Sequence, residues 1–131
     1  MYNTNALGPL RVAQALLAHG MLKNSVMVFI SSGASNITRA QGYARNHAFS
    51  TINLGYNMSK AASNLAAMTV GSIIADTTRT IAVDPGWMQT RMGGPNAKIS
   101  PAYAAEKIID LVHSQGGHNH IASVDGDEIP W

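Results

Sequence analysis

The sequence predicts an α/β protein built on a parallel sheet. Two observations carry this: three short apolar runs, at residues 26–30, 79–83 and 120–124, alternate with three stretches of helical periodicity, and strands separated by helices of this length are joined by crossovers that leave them parallel. A third is that the first run is apolar at every position instead of every second one, as in a strand covered on both faces. A chain of 131 residues has room for one domain, burying roughly two-thirds of its unfolded surface. Residues 1–131 therefore read as a single domain, with no internal repeat or interdomain linker.

In the first helical stretch, residues 7–22, Leu10, Ala13, Leu16 and Leu17 recur at helical spacing and His19-Gly20 offers a stop. Val26-Met27-Val28-Phe29-Ile30 follows as a buried strand that ends at Ser31-Ser32. Residues 33–53 are polar and rich in Ser, Asn, Gly and Arg, which predicts one long loop, and long loops inside compact domains are usually functional. Beyond it Met58, Ala61, Ala62, Leu65, Met68 and Ile73 form the apolar stripe of the longest helix. Arg79-Thr80-Ile81-Ala82-Val83 is the second strand, stopped by Asp84-Pro85-Gly86 because proline cannot extend a ladder. Ser100-Pro101 starts the third helix, with a serine to cap free amides and a proline suited to the first turn. Its buried face is expected to be Ala105, Ile108, Ile109 and Val112, and Gly116-Gly117 should close it. His120-Ile121-Ala122-Ser123-Val124 is the last strand, before an acidic tail from Asp125 to Glu128.

Composition narrows the function. Apolar residues are 46% and charged residues 12% of the chain, the latter well below the roughly one-quarter usual for soluble domains, so part of the apolar surface is expected to meet a partner. The net charge is only +2, and the nine basic residues are scattered with no cluster that could track a phosphate backbone. Nucleic acid is not an expected partner. No apolar run approaches the roughly 18 residues that span a bilayer, and Tyr2-Asn3-Thr4-Asn5 is not a signal sequence. With no cysteine there is neither a disulfide framework nor thiolate chemistry, and the expected compartment is the cytoplasm. His118 and His120 share one face of a strand, but two imidazoles fall short of a metal's ligand count.

Tyr56 and Lys60 stand four apart, on one face of the longest helix. A lysine about 4 Å from a phenol could supply up to about 4 kcal/mol of preference for the phenolate at an effective dielectric of 20, enough to make the tyrosine a proton donor and acceptor near neutral pH. Such a pair also arises by chance on ordinary helix surfaces. Its ordered company distinguishes this one: Asn5-Ala6-Leu7-Gly8-Pro9 on the first helix, Ile30-Ser31-Ser32-Gly33 at a strand end, Ala61-Ala62 after the lysine, and Asp84-Pro85-Gly86-Trp87-Met88-Gln89-Thr90 after the next strand.

That series resembles the short-chain dehydrogenase/reductase family over essentially the whole chain, and the closing Asp125-Gly126-Asp127-Glu128-Ile129-Pro130-Trp131 is similar to the sniffer and C-factor-like carbonyl reductases. The resemblance implies the C-terminal half of a Rossmann-like, doubly wound parallel sheet, truncated to about three strands and three helices. It implies NAD(P) as cofactor, a small carbonyl or alcohol as substrate, Tyr56 as catalytic acid/base, and Lys60 as the group that assists it and bonds the nicotinamide ribose. Ser32 would hold the substrate oxygen, and Ser31 should point elsewhere because strand neighbours face opposite ways. Asn5 matches the residue that helps hold a relay water near the lysine; its simpler reading is a helix cap. Pro85, Gly86 and Thr90 match the loop that passes the nicotinamide, or else simply end a strand.

The glycine-rich turn with which that family grips pyrophosphate has no counterpart, since neither Gly93-Gly94 nor Gly116-Gly117 has the spacing or the strand-to-helix setting. Three readings follow. The first is an NAD(P)-dependent oxidoreductase whose cofactor binding is impaired or supplied by a partner. In the second Ser32 is a nucleophile activated by Tyr56 and Lys60, as in a cofactor-free esterase or lactonase. The third is a non-catalytic remnant. Removing half the family's sheet would leave residues 26–30 with a bare edge, which together with the helices the family uses to dimerise predicts a homo-oligomer.

Overall fold

A computed structural model describes residues 1–46, 53–114 and 120–130. The chain enters through a wide π-helical turn, Asn3–Leu7, that runs into α1 (Gly8–Ala18), with Pro9 in the first turn and the exit at His19 and Gly20, whose φ is 65°. The helix stops short of the expected residue 22; Leu22 is buried in the core beyond it. β1 (Ser25–Ile30) follows.

Residues 33–53 are not one loop. A 3-10 turn at Gly33–Ser35 leads to α2 (Ile37–Asn46). Local capping makes both turns: Ser32 Oγ accepts from the Ala34 amide at 3.2 Å, and Asn36 Oδ1 accepts from the Arg39 amide at 2.9 Å. A short helix assembled from caps has too few apolar residues to show periodicity in sequence. Residues 47–52, the remainder of that expected loop, lie outside the described part, as do Gly116-Gly117 and His118. The rest of the order is α3 (Leu54–Ile74), β2 (Thr78–Asp84), α4 (Pro101–His113) and β3 (His120–Ser123), so four α-helices, not three, are described.

The three strands form a parallel sheet in the order β1-β2-β3. Val26 pairs with Arg79, Ile30 with Val83 and Ile81 with His120. Alternate residues serve different layers. Met27, Phe29, Ala82 and Ile121 pack with Ala13 of α1 and Ala67, Val70 and Ile74 of α3, whereas Val26, Val28, Ile81, Val83 and Ala122 pack toward Ile108 and Leu111 of α4. Helices thus cover both faces of the sheet, which explains the unbroken apolar run of β1. Past β3 the chain turns at Gly126 and returns along the strand, Ile129 N–H donating to Ile121 O at 2.7 Å, so that the outer edge of β3 is covered by the tail. β1 is the opposite edge of the described sheet.

The expected stripe on α3 faces the core only in part: Met68 packs against it, and Ala61 and Ala62 are half-buried. Met58, Leu65 and Ile73 are 56%, 63% and 68% exposed, and the buried face is Ser59, Ser63, Asn64, Ala67, Val70, Gly71 and Ile74. Small residues there let the helix lie close to the sheet, and hydrogen bonds compensate the buried serine and asparagine. On α4 the buried residue is Ala104, with Ile108 and Leu111 packed on the sheet, while Ala105 and Ile109 face outward. Leu17 of α1 is likewise 45% exposed.

Candidate active site

An open cleft of about 1190 Å3 lies at the carboxyl ends of β1 and β2, bounded by α2 and the first turns of α3. This is where ligands sit in open α/β sheets, because the loops that leave the strands diverge there. Ser32, Tyr56, Lys60, Pro85, Gly86 and Thr90 all line it.

The two serines that follow β1 both border the cleft but differ in burial. Ser31 is 3% exposed and donates to Asn64 Oδ1 at 2.6 Å, while Ser32 is half-buried at the cleft wall. Ser32 Oγ accepts from the Ala34 amide, and among the described residues its own O–H has no acceptor, so it can donate to a ligand oxygen. Tyr56 opens the third residue of α3, whose start is set by Asn53 Oδ1 accepting from the Tyr56 amide at 3.1 Å. One turn on, Lys60 Nζ donates to Ile30 O, the last carbonyl of β1, at 2.7 Å. It stands 6.0 Å from the centroid of the Tyr56 ring, within cation–π reach but farther than a direct pair. Partial burial lowers the Lys60 pKa, because desolvation penalises the ammonium.

Asn5 does not line the cleft. Its Nδ2 donates to Ser59 Oγ at 3.0 Å, and Ser59 in turn donates to Tyr56 O at 2.7 Å, so the residue clamps the first turn of α3 to the entry turn. It is not a helix cap, a position taken by Tyr2.

The floor of the cleft is the loop after β2. Asp84 Oδ1 accepts from the Gly86 amide at 3.0 Å, and Gly86 adopts a φ of 75°. A Cβ there would run into Ile99 Cδ1, and the same loop is stitched by Trp87 Nε1 donating to Gly93 O at 2.8 Å and by Gly93 N–H donating to Thr90 Oγ1 at 3.2 Å. Sequence reasoning missed Asn64, Ser35 and Asn36, which hold the Ser32 turn, and Trp87 and Met92 at the cleft mouth. No motif marks the first three; the exposed apolar character of the last two is evident only when the fold leaves them uncovered.

No protein-family model matches the chain. It is 31% identical to C-signal of Myxococcus xanthus, over 99% of this chain and 76% of that protein. It is also 30% identical to the short-chain dehydrogenase srdF of Neurospora crassa, over 99% of this chain but 54% of that one. The chain belongs to the short-chain dehydrogenase/reductase family. Among solved short-chain dehydrogenase/reductase folds, the carbonyl reductase Sniffer of D. melanogaster superposes with a TM-score of 0.81 at 21% identity, covering 99% of this chain and 55% of that one. A carbonyl reductase from Pseudomonas aeruginosa PAO1 in complex with NADP gives 0.72 at 28% identity, covering 100% of this chain and 54% of its own. The chain thus spans about half the length of srdF and of these solved structures, and its three-stranded sheet is about half of a Rossmann-like fold.

Proposed function

We propose that the chain carries the proton-transfer half of a carbonyl reductase, an NAD(P)-dependent oxidoreductase acting on a small carbonyl or alcohol. The observation behind this reading is that Ser32, just past the end of β1, and Tyr56 and Lys60, one turn apart on α3, open onto one cleft. Ser32 donates its free O–H to the substrate oxygen and holds it. Tyr56 gives that oxygen a proton as the carbonyl is reduced and takes it back in the reverse direction. Lys60, tethered to Ile30 O, presents a cation beside the phenol and would hydrogen-bond the nicotinamide ribose of a bound cofactor. Pro85, Gly86 and Thr90, which line the cleft beyond β2, would hold the nicotinamide end of the cofactor.

When bound, the cofactor supplies the hydride, and the residues present fit its nicotinamide end: a cleft large enough for more than one small molecule, a cation on its wall and a proline–glycine floor. Within these 131 residues no glycine-rich turn cradles pyrophosphate. We infer that this chain alone holds NAD(P) weakly and that a partner chain strengthens the binding.

The partner we propose is a second copy, joined through the outward stripe of Met58, Leu65 and Ile73 on α3. Exposed apolar residues in one row mark contact surfaces.

The test is a fluorescence titration with NADPH and NADH, followed by reduction of an aromatic aldehyde. Tyr56→Phe is expected to lower kcat by about 10²–10⁴, the usual contribution of a positioned proton donor. Undiminished reduction by that variant refutes the assignment. Cleavage of a chromogenic ester that needs no nucleotide and disappears in Ser32→Ala would instead establish the hydrolase.

A further inference from the structure

Behind the cleft wall lies a buried polar network that neither the proposed chemistry nor the core requires. Asn64 is 4% exposed, one helical turn beyond Lys60 and two beyond Tyr56, in the same row of α3. Its Oδ1 accepts from Ser31 Oγ at 2.6 Å and its Nδ2 donates to Ser35 Oγ at 2.8 Å. Ser35, 7% exposed, passes its own hydroxyl hydrogen to Ser32 O at 2.6 Å. Both serine hydrogens are thereby spent, so the 3.3 Å approach of the two hydroxyl oxygens adds no further bond. Ser32 is held from all sides except the cleft: its carbonyl also accepts the Ser35 amide at 2.9 Å, and its Oγ accepts the Ala34 amide.

Buried hydroxyls and amides are costly unless every group is paired, and an apolar side chain of the same size would fill this space without that requirement. What a leucine could not do is connect the helix bearing Tyr56 and Lys60 to the turn bearing Ser32 with directional bonds at both ends. We propose that Asn64 is a positioning residue: acting through Ser31 and Ser35, it sets where Ser32 stands relative to Tyr56. The functional side of this inference rests on the reductase reading; the structural side does not.

Two readouts separate them. In aldehyde reduction with NADPH, Asn64→Ala is expected to lower kcat at least tenfold with the KM for NADPH unchanged, and to cause no further loss in a Ser32→Ala background, because it acts through that serine. Val70→Ala, a core truncation on the same helix, should lower the melting temperature without lowering kcat. Independently of turnover, hydrogen exchange at the amides of Ala34, Ser35 and Asn36 should be at least tenfold faster in Asn64→Ala, with β2 amides unchanged. Should Asn64→Ala not fold, Ser35→Ala removes the hydroxyl that reaches Ser32 and is read the same way. Unchanged exchange at these amides, or a kcat loss that adds fully to that of Ser32→Ala, overturns the proposal. If even the unsubstituted protein reduces no aldehyde, that result counts against the reductase reading alone, and exchange decides the role of Asn64.

Discussion

Gly86 shows how much a single position can carry. It combines a φ of 75°, which a side chain disfavours, with a Cβ direction occupied by Ile99 Cδ1. Gly86→Ala should cost about 1–3 kcal/mol, the usual price of a residue held in the left-handed region, and should show as a lower urea midpoint. Lys60 makes a prediction of a different kind. Its folded pKa lies below the ordinary lysine value, so between the two the unfolded chain binds the proton and the folded chain does not. Stability from this group is therefore fully present above the ordinary value of 10.5 and is lost as pH falls through the lowered one. The urea midpoint of the protein relative to Lys60→Met should rise across that window, and a flat or falling difference would contradict it. The shared helix face of Tyr56 and Lys60 and the different surroundings of Ser31 and Ser32 were legible in sequence, because spacing and strand alternation are local rules. Asn64 was not, since its partners Ser31 and Ser35 lie about thirty positions away and no periodicity joins them.

At the scale of elements, helix ends were easier to read than helix faces. Ser100 caps α4 as expected, its Oγ accepting from the Tyr103 amide at 3.1 Å. The other end of α4 is held by a residue that reads simply as part of a strand: Arg79 of β2, 8% exposed, donates to the carbonyl oxygens of Leu111, Val112 and Ser114 at 2.7–2.8 Å. These are among the orphan acceptors of a helix C-terminus, and a guanidinium satisfies them while complementing the helix dipole. Arg79→Met should lower stability by about 2 kcal/mol or more, given about 1.5–3 kcal/mol for a hydrogen bond to a charged group, and a loss under 0.5 kcal/mol by urea unfolding would show that water replaces it freely. The face of α3 went the other way. Its larger apolar side chains invite a core assignment, yet the sheet accepts the side bearing Ser59, Ser63, Ala67 and Gly71, because close packing on a strand surface favours small residues.

For the whole molecule, the outward row of Met58, Leu65 and Ile73 makes self-association the prediction proper to this scale. Light scattering after size exclusion should give a mass above 13.9 kDa at micromolar concentration, and Leu65→Glu should return it toward that value without unfolding the chain. A monomeric parent protein would refute the second-copy proposal. β1, as the edge of the described sheet, is the other candidate surface, and its own backbone groups are what it would offer.

The alternation of the three strands with helices, the parallel sheet covered on both faces, the placing of Tyr56 and Lys60 one turn apart on one helix and the different burial of Ser31 and Ser32 were legible in the sequence itself. Each follows from local spacing: runs of apolar residues, a four-residue interval on a helix, a two-residue period on a strand. Only the tertiary structure decided which face of α3 is inside, that residues 37–46 are helical, that Asn5 grips Ser59 and that Asn64 ties Ser31 and Ser35 to the helix of Tyr56. Those outcomes depend on groups far apart in the chain competing for the same buried partners. That competition is settled by packing and hydrogen-bond satisfaction once the layers meet, and no window of sequence contains both sides of it.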